Sequence, residues 1–160
     1  MKRFVLLFLV ALLLGTVGTA NAILFNGNDY VVVNTPNLSW TDARDAAAAV
    51  GYHLVTITNA AEQEFVAGTL LGSSSGAYWM GAFQISDSAL TADSWQWLNG
   101  EGSAYPGGFW GQYPGFDAEP NDLDGVENNA ENYAALDSRF TSPNYSLSPN
   151  TWLWNDAGLT

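Results

Sequence analysis

The sequence predicts an α+β domain in which two helices come first and short aromatic strands follow. Ser39 and Asn59 are typical helix N-caps, each with an acidic residue three positions later. They precede helical stretches at residues 40–50 and 60–71, and each stretch ends at a glycine. Aromatic and β-branched runs typical of strands lie at residues 30–33, 78–83, 95–97, 133–136 and 152–154.

The N-terminus has the pattern of an export signal. Lys2 and Arg3 precede an uncharged apolar run, and Ala20-Asn21-Ala22 is typical of a signal-peptidase cleavage site. The apolar run is shorter than the roughly 20 residues that a membrane span needs. We therefore expect a signal peptide at residues 1–22 and a single secreted or cell-surface domain at residues 23–160, with no membrane span in the mature chain.

The mature chain is strongly acidic. After the signal, the two basic residues Arg44 and Arg139 stand against sixteen acidic ones, which gives a net charge of −14. A surface of this kind repels phosphate backbones and excludes nucleic acid as a partner. It suits hard cations, whose preferred ligands are carboxylate and carbonyl oxygens. Because the chain has no cysteine, core packing and bound metal are expected to supply the stability that disulfides supply elsewhere.

The segment between residues 99 and 130 has almost no periodicity, although it contains many oxygen-bearing side chains. Loops of this length in a compact domain are usually functional or disordered. The aromatic content of this segment favours a functional loop.

Four groups of residues give the chain a resemblance to the C-type lectin-like domain family. They are Trp40, Ala43, Gly51 and Leu54; Trp79-Met80-Gly81-Ala82; Glu119-Pro120-Asn121; and Trp154-Asn155-Asp156. The last two, in this order, are the most specific. The resemblance implies a C-type lectin-like fold with two helices, two small antiparallel sheets and a long calcium-binding loop region.

The resemblance also implies a functional site. Its metal ligands would be Glu119, Asn121, Glu131, Asn155 and Asp156, holding Ca²⁺ with a cis peptide bond before Pro120. The first four of these would also bind the sugar, and the order Glu-Pro-Asn implies mannose-type vicinal hydroxyls. Asp122 and Asn132 are at the positions of a second calcium site. The expected function is calcium-dependent carbohydrate binding by a non-catalytic lectin domain.

Some features depart from the family pattern. By the resemblance, Ala47 stands where the first-helix cysteine would be, and Tyr133 and Leu159 stand where the second cysteine pair would be. We expect an apolar contact between Tyr133 and Leu159 in place of that second disulfide. The chain also stops at Thr160, before the last strand of the family. Either the sequence is a C-terminally truncated fragment, or the fold has an open sheet edge.

Other functions compete with this hypothesis. The acidic residues could form a solvated loop or an EF-hand, although Pro120 at the first position of such a loop offers no ligand. A glycosidase needs a separate pair of carboxyl groups, and none stands out. His53 is the single histidine, which excludes a histidine-based zinc site or catalytic triad. The main alternative is a structural or adhesive domain of the same fold that binds protein or surfaces without sugar.

Overall fold

The computed structural model describes most of the chain, including every strand and helix named below. The described residues are 3–6 (backbone), 21–85, 94–101, 109–112, 119–121, 131–140 and 152–158.

Both predicted helices are present and begin at the predicted caps. Helix α1 spans Trp40–Ala49, and the Ser39 hydroxyl accepts a hydrogen bond from its first turn. Helix α2 spans Ala60–Glu64, capped by the Asn59 side chain. The sequence predicts that this helix continues regularly to residue 71, but Phe65–Leu71 is π-helical. No helix in the described part of the chain is long and apolar enough to cross a membrane.

The first sheet has three strands in the order β1-β3-β2. Strand β2 (Ile23–Phe25) pairs antiparallel with β3 (Asn28–Val32). The turn residues between them, Asn26 and Gly27, both have positive φ, as the tightest hairpins require. Strand β1 (Arg3–Leu6) runs parallel to β3, which the sequence does not predict. It lies in the segment assigned to a signal peptide, and that assignment stays a prediction.

The second sheet is antiparallel, in the order β5-β4-β6-β7. Its strands are β4 (Ala77–Gln84), β5 (Trp95–Trp97), β6 (Tyr133–Asp137) and β7 (Leu153–Ala157). The predicted α+β class, with two helices and two small sheets, is confirmed. Strand β7 begins one residue later and ends three residues later than predicted, so Asn155 and Asp156 lie within it and not after it.

The second sheet has a hydrophobic cluster on each face. Tyr78, Met80 and Trp154 belong to the larger cluster, which includes residues of the π-helical segment. Trp79 belongs to the smaller one, which contains Trp40 of helix α1. Neighbouring residues of β4 therefore point to opposite faces, as expected for a strand.

Aromatic packing is found where the family has a cysteine. The rings of Tyr133 and Trp40 stack with their centroids 4.6 Å apart, and Ala47 is fully buried. The apolar contact predicted between Tyr133 and Leu159 stays a prediction, and the observed partner of the Tyr133 ring is Trp40. Leu159 lies outside the described residues.

Gln63 connects helix α2 to strand β7. Its side chain is 2% exposed. Its amide nitrogen donates to the Trp152 carbonyl oxygen at 2.7 Å, and its amide oxygen accepts from the Trp154 indole at 2.9 Å. Since a buried amide must be hydrogen-bonded to be tolerated, these two bonds fix the helix against the strand.

The substitution Gln63→Leu is expected to lower the free energy of unfolding by about 2–4 kcal/mol. It leaves the Trp154 indole nitrogen and the Trp152 carbonyl buried without a partner. Urea denaturation measures the effect. Gln96→Leu, at an exposed position of β5, is the matched control and should change stability by no more than about 0.5 kcal/mol. Equal effects of the two substitutions would show that the Gln63 bridge is unimportant.

Candidate metal centre

Three of the predicted site residues come together at β7. The backbone N–H of Asn121 donates to the Asp156 carboxylate at 3.0 Å, across 35 residues of sequence. Glu119, Asn121 and Asp156 are all buried, with exposed fractions of 8%, 9% and 1%. The fold therefore places two carboxyl groups and an amide side chain in one desolvated place.

A short loop segment positions Glu119 beside β7. The N–H of Gly111 donates to the Trp154 carbonyl at 2.8 Å, and the Gly111 carbonyl accepts from the N–H of Glu119 at 3.0 Å. The Trp154 N–H in turn donates to the Phe109 carbonyl at 2.8 Å. Residues 109–111 thus act as a further backbone layer between the strand and the acidic tripeptide.

Only glycine fits at position 111. A Cβ atom there would lie 2.6 Å from Cβ of Phe140 and 3.0 Å from Cβ of Leu153. Neither of these atoms can rotate away, since both are attached directly to the backbone. No local sequence signal marks Gly111, because the reason for the glycine is a contact between distant parts of the chain.

The peptide bond between Glu119 and Pro120 is cis. The resemblance to C-type lectin-like domains implied this geometry, and it is confirmed.

The carboxyl group of Glu119 is in an unfavourable electrostatic position. Burial above all, together with the hydrogen bond and negative charge of Asp156 and the charge of Glu131, raises its pKa to about 10. No donor among the described residues reaches Oε2 of Glu119. Two carboxylates that share a dry site cannot both ionise without a counter-charge. A bound cation would supply it, and carboxylate and amide oxygens are the ligands that calcium prefers.

The other predicted ligands have different positions relative to Glu119 and Asp156. Glu131 is half-buried and close enough to act electrostatically on Glu119. Asn155 precedes Asp156 in β7 and lines a groove on the other face of the sheet. Asn132 is half-buried, and Asp122 lies outside the described residues. Within the described ranges, no three His, Cys, Asp or Glu side chains form a metal-binding group. The complete ligand set and the second calcium site therefore stay predictions.

Comparison with known proteins gives one informative similarity. No family model matches the chain. Over 90 residues the chain is 33% identical to mouse "C-type lectin domain family 4 member F". The similarity supports a C-type lectin-like family. The α+β architecture is consistent with that fold, and the relative points to a lectin-like, non-catalytic domain. The aligned part is 55% of this chain but 15% of the mouse protein, so it concerns one domain of a much longer relative.

The substitution Gly111→Ala is expected to destabilise the domain by about 1–3 kcal/mol, because the new methyl group overpacks a rigid contact. Chemical denaturation measures the loss. Gly68→Ala is the matched control, since a Cβ at Gly68 meets nothing within 4 Å. It should leave stability unchanged or slightly increased. If Gly111→Ala were as stable as wild type, residues 109–111 could not hold Glu119 in the way described.

Proposed function

We propose that this domain binds carbohydrate through a calcium ion held at the candidate metal centre, without catalysis. The observation that carries the proposal is the convergence of Glu119 and Asp156 in a buried position, with the backbone N–H of Asn121 hydrogen-bonded to the Asp156 carboxylate. Glu131 and Asn155 are the remaining predicted ligands, although Asn155 lies on the opposite face of β7 from Asp156.

The buried Glu119–Asp156 pair needs a cation to balance its charge. The other buried acids among the described residues, Glu62 and Asp137, have hydrogen-bond donors as partners. Asp137, for example, accepts bonds from the Arg139 guanidinium. The Glu119–Asp156 pair has like charges and a carboxylate oxygen without a donor among the described residues. Removing one charge or adding a positive one relieves such a pair, and a cation does so while keeping both side chains ionised.

The chemical type of the candidate ligands favours calcium over zinc. The candidate ligands are all oxygens, the chain has no cysteine, and His53 is the single histidine. The His53 ring nitrogen Nδ1 is 2.8 Å from the Leu54 carbonyl oxygen. Such a set excludes the sulfur and imidazole coordination typical of zinc and favours calcium.

The side chains around the cation favour sugar hydroxyls as the bound group. Calcium, when bound, offers open coordination positions to the lone pairs of hydroxyl groups. The hydroxyl proton then needs an acceptor, which the Glu119 carboxylate provides, and the second lone pair needs a donor, which the Asn121 amide provides. Vicinal sugar hydroxyls satisfy both conditions. The order Glu-Pro-Asn, by resemblance, favours mannose-type sugars.

The setting agrees with an exported binding module. The predicted signal peptide implies a secreted or cell-surface protein, where calcium is abundant. The net charge of −14 in the mature chain makes nucleic acid an unsuitable partner. Glycoconjugates are the proposed partners.

Calcium is expected to stabilise the domain and to increase its affinity for a mannoside. At a calcium concentration about 100 times the Kd, binding adds about 2.7 kcal/mol to the stability. Thermal melts and calorimetry with methyl mannoside, in calcium and in EDTA, measure both effects.

Glu119→Gln should abolish both calcium effects, because it removes one of the paired charges. Glu64→Gln is the matched control. It removes one negative charge at an exposed position of α2 and should retain both calcium effects. The proposal fails if calcium changes neither the melting temperature nor the mannoside affinity of the wild-type domain.

The double substitution Glu119→Gln with Asn121→Asp should change the sugar preference. It exchanges the positions of acid and amide, so by the family resemblance it favours galactose-type hydroxyls. We expect the mannoside-to-galactoside affinity ratio to fall by roughly tenfold, which corresponds to about 1.4 kcal/mol. A calcium-binding variant with no change on any glycan would support the alternative, a structural or adhesive domain that does not bind sugar.

A further inference from the structure

A groove of about 780 Å³ lies on the face of the second sheet opposite to Asp156. It runs between the start of helix α1 and strands β4, β6 and β7. Its size is in the range of small-molecule sites in proteins, about 300–1,000 Å³. A smaller cavity of about 270 Å³ shares Trp79 and Asn37 with it.

The floor of the groove consists of small side chains. Ala77, Ala135 and Ala157 come from three adjacent strands and all line it. Larger residues at these positions would fill the space above the sheet. The alanines therefore create the concavity, and an indole lies beside them.

That indole belongs to Trp79, which is half-buried. Its Nε1 donates to the Leu38 carbonyl at 2.8 Å, so the ring is held in one orientation against the segment before α1. A fixed, partly exposed aromatic ring offers the apolar C–H face of a sugar a surface to pack on, at little entropic cost.

The polar groups of the groove are also held in place. The Arg139 guanidinium Nε lies 3.0 Å from both carboxylate oxygens of the fully buried Asp137. At the other end, the Ser39 hydroxyl donates to the Asp42 carboxylate at 2.7 Å. Arg139 still presents an exposed edge, since 64% of its side chain is accessible.

The charges of the groove indicate the class of ligand. Asp137 balances the positive charge of Arg139, and Asp42 adds a negative charge to an already acidic domain. Anionic ligands are therefore disfavoured. Donors on Arg139 and acceptors on Asp42 face the same space, which suits groups that both donate and accept, as hydroxyls do.

We infer that this groove is a second, cation-independent site for a neutral sugar residue. It lies on the opposite face of β7 from Asp156, because alternate residues of a strand point to opposite faces. It shares only Asn155 with the predicted ligands of the proposed calcium site, and Glu119, Asn121 and Asp156 do not line it. A domain with both sites could contact one glycan, or two, from both faces of the sheet.

The test is carried out in EDTA, so that a calcium site cannot contribute. Methyl mannoside and methyl glucoside are titrated into the full chain by calorimetry and saturation-transfer NMR, and glucuronate serves as the anionic comparison sugar. We expect weak binding of the neutral methyl glycosides that persists in EDTA, and at least tenfold weaker binding of glucuronate, because the groove is acidic.

Ala77→Phe fills the groove from an exposed position of β4 and should weaken this EDTA-resistant binding by about tenfold or more. Ala48→Phe, at an exposed position of α1 outside the groove, is the matched control and should bind as wild type does. If Ala77→Phe fails to fold, Asn37→Gly takes its place. Glycine keeps the left-handed backbone of Asn37 (φ 65°) and removes a polar group of the rim, which should weaken binding several-fold.

Two outcomes overturn the inference. One is the absence of EDTA-resistant binding by either methyl glycoside. The other is equal binding by wild type and by the groove variants, which would place the sugar elsewhere. Binding of glucuronate as strong as that of the neutral sugars would contradict the charge argument. Glu119→Gln should leave the EDTA-resistant binding intact, so failure of the calcium site and failure of the groove give different results.

Discussion

The contacts of Trp154 connect the parts of the molecule on which the candidate site depends. Its indole nitrogen donates to Gln63 of helix α2, and its ring packs edge-on against Trp97 and Trp110. Its backbone pairs with Phe109 and Gly111 on the loop side. Asp156 is two residues further along the same strand and points to the same face. The positions of Glu119 and Asn121 relative to Asp156 therefore follow from how this one tryptophan is held.

The buried carboxylates Glu62 and Glu119 differ in their hydrogen-bond partners. Glu62 is buried, and its carboxylate accepts from the Tyr30 hydroxyl at 2.6 Å and from the Thr58 N–H at 2.8 Å. Burial and this bond to Glu62 raise the pKa of Tyr30 above its ordinary value. Glu119 instead faces another carboxylate. The same residue type is a structural anchor in one position and a candidate ligand in the other, and the neighbours decide which.

The domain reaches its stability without cysteine. The Trp40–Tyr133 stack joins helix α1 to the second sheet, and a chain of aromatic contacts from Phe65 through Phe25 and Tyr30 joins the first sheet to the π-helical segment. Aromatic rings bury large areas and add geometric preference, so they can connect distant elements as a disulfide does. They do not constrain the unfolded chain, which is how a disulfide mainly acts.

The sequence by itself determined the elements whose signals are local. The caps Ser39 and Asn59 fixed the starts of both helices, and the aromatic runs located β4, β5 and β6. The tripeptides Glu119-Pro120-Asn121 and Trp154-Asn155-Asp156 indicated the site, through resemblance and ligand chemistry. Only the tertiary structure decided the rest. It showed that Gly111 carries Glu119 to β7, and that pairing with β6 extends β7 through Asn155 and Asp156. Those facts depend on contacts between residues far apart in sequence, and periodicity or composition has no information about such contacts.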